Sequence, residues 1–465
     1  MSDLKFSTSL TELPFSKIFF KLAVPNLYST LIASLTVIFD LWYVGQIGIS
    51  QLAGVAYIFP IYMLTSMLSN GAFGGAVSGA TARAFGSRNI FLAECIFRSA
   101  ILIALIGSVI MMGIFFTFAE MFFKFFEINQ EVTFSALTYG TILLNGIFLI
   151  WFFNIIIAIT RGSGNTIIPA IGWSIVLVSH VIIASLNFEY KEGIITLINT
   201  VDLFNGSYVF TSLEWSVMSL LIGYLIGIFF VCGFYFFGKH SFTFYSKDIL
   251  KFNGIINLIK SGSLASCQSI MTIALAIFCT TVISMFGTNW TAGFGIAIRL
   301  ELLLIPVIFG VGGALIAIVG ANVGAKKYSR AVSMTWKGTF FSVVIVGTIG
   351  LFFSIFPNFW SDSFTDLFEI REASNSYLKI VAPFYAFFAL GLGLYFTCQA
   401  FNTLFWPVIG TLIRLIFVVV MTLILFYLEI SNPQSIFIIM SSGLIIYGLF
   451  ISTSLHFGPW KKYYN

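Results

Sequence analysis

Apolar residues run along this chain in twelve long stretches, separated by short polar ones. The stretches cover residues 17–45, 51–82, 91–122, 133–159, 165–188 and 214–238, then 257–286, 291–322, 329–356, 375–400, 404–428 and 432–456. Each meets or exceeds the roughly 20 residues that a helix needs to cross about 30 Å of hydrocarbon. The pattern predicts an all-α integral membrane protein with twelve transmembrane helices.

The pattern also repeats. Gly48, Ala53 and Gly54 return as Gly287, Ala292 and Gly293, at an offset of 239. Gly74-Gly75-Ala76 returns as Gly312-Gly313-Ala314 and Gly86 as Gly324, both at 238, and Asn165-Thr166 returns as Asn402-Thr403 at 237. A near-constant offset of about half the 465 residues implies two homologous halves. The expected division is a six-helix bundle over residues 1–240, a linker over 241–256 and a second six-helix bundle over 257–465. Six spans per half is an even number, so both halves enter the membrane in one orientation. They are then related by an axis along the membrane normal, with a substrate site between them.

Composition narrows the class further. The chain is 59% hydrophobic and 9% charged, against roughly 25% charged in soluble domains. Five scattered Cys show no CxxC or metal-like spacing and read as small buried hydrophobes, with no structural metal expected. The stretch from Met1 to Ser16 is polar and lacks the apolar core of a signal peptide.

Charge orients the chain. With the N-terminus inside, seventeen of the 23 Lys and Arg fall on inner segments, and only Lys124, Lys191, Arg371 and Lys379 fall outside. That asymmetry predicts a multi-pass protein of the plasma (inner) membrane with both termini cytoplasmic. The basic run from Lys239 to Lys260 and the net charge of +5 suit anionic lipid and topology, with no nucleic-acid partner. The expected partners are membrane lipids and a small-molecule substrate, and the expected state is a monomer.

Ionisable groups inside spans are costly and therefore candidates for function. They are Asp40, His180, Arg299, Glu301 and Arg414. Asn26, Ser29, Ala33, Thr36 and Asp40 share one face of the first span, and Ser261, Ala265, Gln268, Thr272 and Cys279 share one face of the seventh. The offset of 239 sets Cys279 against Asp40, so the acid exists in one half only. Asp40, His180, Asn26 and Thr36 form the expected cation-coupling set. Gln268, Thr272, Arg299 and Glu301 are expected to line a substrate cavity or to form a structural ion pair with a neighbouring helix. Arg299 and Glu301, two apart, cannot face each other on one helix. Arg414 is given no role. No phosphate loop GxxxxGK[ST] and no HExxH zinc helix occur. The chain reads as a transporter rather than an enzyme, driven by an ion gradient or by its substrate.

Several local marks resemble the MATE (multidrug and toxic compound extrusion) family, near its prokaryotic, DinF-like branch. They are Ala23-Val24-Pro25 opening the first span, Asp40-Leu41-Trp42-Tyr43-Val44-Gly45-Gln46-Ile47-Gly48 closing it, and Leu52-Ala53-Gly54 after it. Others are Gly79 to Gly86, Arg161-Gly162-Ser163-Gly164-Asn165-Thr166, and Arg299 with Gly320 to Gly324. The resemblance covers nearly the whole chain. It implies a V-shaped pair of bundles exporting amphipathic, often cationic, drugs or metabolites by alternating access, in antiport with H⁺ or Na⁺ and without another cofactor. It makes Asp40 the coupling acid and Pro25 the helix hinge. His180 stands where that branch typically has Asn, and Ala184 where it usually has a second Asp. Thr272 stands where another branch has a Glu for Na⁺. These departures, and the long 189–213 connection, leave the choice of ion open. The alternative reading is a flippase of lipid-linked sugars or another lipid.

Overall fold

The computed structural model describes residues 10–125, 129–189, 211–237 and 252–463, and the regular structure among them is entirely helical. The first half comprises α1 (Phe15–Ile47), α2 (Ile49–Gly86), α3 (Ile90–Phe125), α4 (Gln130–Asn145), α5 (Ile147–Gly162), α6 (Ile167–Glu189) and α7 (Ser212–Phe237). The second comprises α8 (Phe252–Ser284), α9 (Thr288–Gly324), α10 (Tyr328–Ile355), the short α11 (Asn358–Ser361), α12 (Phe368–Val381), α13 (Tyr385–Phe401), α14 (Phe405–Tyr427) and α15 (Pro433–Phe457). Helix α8 starts inside the expected 241–256 linker. The rest of that linker, and nearly all of the 189–213 connection, lie outside the described residues.

Eleven of the apolar stretches form helices long enough to cross a membrane, and the twelfth is the pair α4 and α5, bent by 48°. The bend falls at Gly146, where a Cβ would lie 2.4 Å from the Leu221 side chain. The second half breaks at the equivalent place. There a 3₁₀ turn, Ala382–Phe384, separates α12 from α13, and Pro383 in it has no N–H to continue a ladder. The offset of 238 carries Gly146 to Phe384. The equivalent place thus carries a bend at a glycine in one copy and a 3₁₀ turn at a proline in the other.

Each half has its own apolar core, but the first helix of each half does not stay within it. Ile18, Phe19, Leu22 and Ala23 of α1 pack into the core of the second half. Val44, with Ile32, Val37 and Leu41, packs into the core of the first. Helix α8 does the reverse: Leu258 sits in the first core, while Ala265, Leu275 and Cys279 sit in the second. Helix α1 runs unbroken through Pro25 at the point of transfer. Just past it, Asn26 Nδ2 donates to the carbonyl of Gly310 at 2.7 Å and Thr30 Oγ1 to that of Pro306 at 2.8 Å. Ahead of α1, Asn322 Nδ2 and Lys327 Nζ donate to the carbonyls of Leu10 (3.2 Å) and Thr11 (3.1 Å).

The lobes touch most closely where α2 crosses α9 at their basic ends. A Cβ on Gly86 would lie 2.0 Å from the Ala321 carbonyl oxygen, and one on Gly324 would lie 2.0 Å from that of Arg83. These two glycines are repeat partners, so the crossing is itself two-fold. Arg83 Nη1 fastens it by donating to the carbonyls of Gln399 (3.0 Å) and Ala400 (2.6 Å). Backbone carbonyls cannot step aside as a flexible side chain can. Gly324→Leu is therefore expected to cost about 1–3 kcal/mol or more and to lower the melting temperature measurably in detergent. Gly295, beside which a Cβ would meet nothing within 4 Å, is the control: Gly295→Leu should melt like the parent. Equal melting of all three proteins would contradict the crossing.

Candidate functional site

Asp40 lies near the C-terminal end of α1, buried in the first lobe. Three helices bring polar atoms to its carboxylate. Tyr139 of α4 donates its hydroxyl to Oδ2 at 2.5 Å. Ser216 of α7 donates to Oδ1 at 2.9 Å. His180 of α6, with no exposed surface, places Nε2 3.5 Å from Oδ1. The hydroxyls of Tyr62 and Tyr224 are hydrogen-bonded to each other at 2.8 Å in the same lobe.

Ser219 Oγ lies 2.7 Å from the Ser216 carbonyl and 2.8 Å from His180 Nδ1, and either the hydroxyl or the ring N–H donates in the second contact according to the tautomer. Nε2 makes no hydrogen bond and faces Asp40 Oδ1 at 3.5 Å, so one proton on the ring or on the carboxylate would bridge the two atoms.

The second lobe holds a second carboxylate on a different helix. Glu301 of α9 accepts a hydrogen bond from Tyr377 of α12 at 2.9 Å, and Arg414 of α14 places Nη2 3.9 Å from it. The Arg414 guanidinium lies 5.8 Å from both the Phe388 and Tyr447 ring centroids. Tyr447 in turn accepts a hydrogen bond from Gln268 of α8 at 3.0 Å. Tyr377 stands 238 positions after Tyr139. The same repeated tyrosine therefore serves a carboxylate in each lobe. In the first lobe the acid is on the repeat's first helix with histidine beside it. In the second it is on the repeat's second helix with arginine beside it.

The structure joins Asp40 to His180, and Glu301 to Gln268 through Arg414 and Tyr447, but it separates the other sequence candidates from them. Asn26 is fourteen residues before Asp40, about 21 Å along a helix, and its amide ties α1 to α9. Thr36 is buried, and its hydroxyl donates to the Ile32 carbonyl of its own helix. Thr272 likewise caps Gln268 of its own helix. Arg299 is exposed, its guanidinium 5.6 Å from the Phe364 ring centroid, apart from Glu301. Arg414, given no role in the sequence, pairs with Glu301; a lone charge within an apolar span was the signal. Tyr139 and Tyr377 were legible only as a polar pair shared by both repeats, and Ser216 carried no signal.

A family model described as MatE matches residues 25–186 and 265–424, one match on each repeat. Two curated relatives are similar: the "FAD transporter" of Shewanella oneidensis, 21% identical over 69% of this chain and 68% of that one, and the "Probable multidrug resistance protein YoeA" of Bacillus subtilis, 20% identical over 83% and 81%. A crystal structure of MATE in the straight conformation superposes with a TM-score of 0.83 at 19% identity, covering 98% of both chains. An outward-facing multidrug resistance MATE family transporter gives 0.82 at 20%, again over 98% of both. At these identities the superpositions establish the fold alone.

The Glu301 cluster has a measurable consequence. Removing one partner of a buried ion pair leaves the other uncompensated, at a cost of about 3–5 kcal/mol. Glu301→Gln should lower folded yield and melting temperature, and adding Arg414→Met to it should restore part of the loss. A double variant less stable than the single one would show that Arg414 is held by something other than Glu301.

Proposed function

The chain belongs to the MatE family of membrane transporters, and we propose that it works as a proton-coupled antiporter that exports amphipathic organic molecules. The observation that carries this reading is the buried approach of His180 Nε2 to Asp40 Oδ1, at 3.5 Å and with no other partner for Nε2. A proton satisfies that gap directly. Na⁺ fits it less well, because two hydroxyls already donate into the carboxylate and the remaining neighbour is a ring nitrogen, whereas hard cations prefer oxygen. In this reading Asp40 and His180 exchange one proton with alternate sides of the membrane as the α2–α9 crossing opens and closes.

The basic ends of α2 and α9, with both termini, face the cytoplasm in this proposal. A cysteine at exposed Ser87 should then resist a membrane-impermeant thiol reagent in intact cells, while one at exposed Ser363 should react; the reverse pattern would invert the topology. A lipid flippase is less well supported, because Asp40 and Glu301 are each engaged by partners of their own lobe rather than placed along the junction. The cationic cargo implied by the family resemblance finds no buried acid at that junction among the described residues.

Coupling is tested in proteoliposomes with a panel of amphipathic fluorophores, ethidium among them. Efflux should follow an imposed pH gradient and not an imposed Na⁺ gradient at equal pH. Asp40→Asn preserves shape but cannot titrate, so it should bind substrate and lose uphill transport. His180→Asn should keep the fold and change the pH dependence of the rate. Uphill transport at the parent's rate by Asp40→Asn, or transport driven by Na⁺ alone, would end the proton-coupled reading.

A further inference from the structure

A third polar cluster lies at the junction of the lobes, apart from both carboxylates. The middle of α2 is not α-helical: Met67–Ala72 forms a π-helical stretch, of the kind that recurs at functional sites. It presents Ser69, Asn70 and Gly71 to three other helices. Arg161 of α5 donates Nη2 to Asn70 Oδ1 at 3.2 Å. Its guanidinium lies 5.2 Å from the ring centroid of Phe309 on α9. Asn154 of α5 donates to Ser69 Oγ at 2.8 Å, and Gln399 of α13 donates to the Gly71 carbonyl at 3.0 Å. Both lobes contribute: the side chains of Arg161 and Gln399 reach in from near the ends of α5 and α13, and the π-helical stretch and Phe309 lie mid-helix. That is where transporters of repeated construction place their substrate, against locally irregular helix.

Arg161 is the anomaly. It is 2% exposed, and a guanidinium has five N–H donors. The hydrogen bond to Asn70 and the face of Phe309 are the partners it has here, and Nε has no acceptor. No carboxylate pairs with it among the described residues. Arg83, on the neighbouring helix, shows the contrast: two backbone carbonyls of α13 take its guanidinium and make it a fastening. A cation held nearly out of water with a buried, unmet Nε–H is costly unless an anion completes it. Asn70, Gly71 and Phe309, beside it, are only partly buried, which leaves the cluster accessible to a ligand. The amide oxygens of Asn154 and Gln399 are also without donors; they would accept N–H or O–H groups of the same ligand.

We propose that Arg161, with Asn70 of the π-helical stretch, binds an anionic group of the transported molecule, a carboxylate or a phosphate. The assignment rests on the transporter reading but not on the coupling ion. It replaces the cationic cargo expected from the family with an amphipathic anion whose ring or tail lies against Phe309.

The test uses the full-length protein in phosphatidylcholine nanodiscs, with FAD and fluorescein as soluble anions, phosphatidylglycerol as a lipid anion and ethidium as the cation. At least one anion should bind the parent. Its affinity should fall about tenfold or more in Arg161→Gln, the loss of a charge-assisted contact, and less in Arg161→Lys. Ethidium affinity should not fall with it, whereas a merely structural arginine would weaken both. Asn70→Ala keeps the charge and removes its positioning partner. It should weaken the same anion more than ethidium, and it carries the test if Arg161→Gln does not fold. Competition by phosphatidylglycerol would assign the site to a lipid head group, and its absence to a soluble solute; either supports an anion site. No anion binding to the parent, or equal losses for anion and cation in the variants, would overturn it. Asp40→Asn should leave anion binding intact, so failure of the coupling reading and failure of this one are separately visible.

Discussion

The backbone-to-backbone crossing of α2 and α9 is the constraint on which the rest of the arrangement depends. In hydrocarbon, helices gain little from burying apolar surface against one another, and close packing must replace the hydrophobic drive. Gly86 and Gly324 let the two second helices approach until each glycine meets the other helix's carbonyl. Once they touch there, α1 and α8 can pass from one core to the other alongside them. The bent pair α4–α5 and its counterpart α12–α13 can then close around the remaining space. Because the two glycines are repeat partners, a single sequence feature, used twice, sets the two-fold frame.

Much of this frame was legible in the sequence. Twelve apolar stretches and a constant offset define two equivalent bundles, and Asp40 stood out as a carboxylate in an apolar helix. What was not legible has physical causes. The polar face of the first span looked like one environment because its residues share a helical face. In fact α1 leaves one core for another near Pro25, so Asn26 and Asp40, on the same face, meet different neighbours. Arg161 read as an inner-loop charge because it closes a span. Its long side chain turns back into the protein, which periodicity cannot reveal. Tyr139 and Ser216 are a tyrosine and a serine among many, and only tertiary structure sets them on the carboxylate. The bend between α4 and α5 was invisible because Gly146 alone marks it, within an otherwise continuous apolar stretch.

The two lobes use one template for two electrical purposes. Each presents a repeat-related tyrosine to a carboxylate within a span, yet the neighbouring group differs in kind. Beside Glu301 stands the guanidinium of Arg414, and beside Asp40 stands the imidazole of His180. Arginine is the residue type for holding a fixed charge and histidine the one for exchanging a proton. Under the proposed proton coupling, the first lobe is therefore the one suited to exchange and the second the one suited to hold the frame. In that proposal a membrane potential would act on the exchanged charge at about 2.3 kcal/mol per 100 mV, and the chemical asymmetry of two otherwise equivalent halves would give a symmetric frame a direction. At position 184 on α6 this chain has the buried Ala184, so no second acid reaches Asp40 from there.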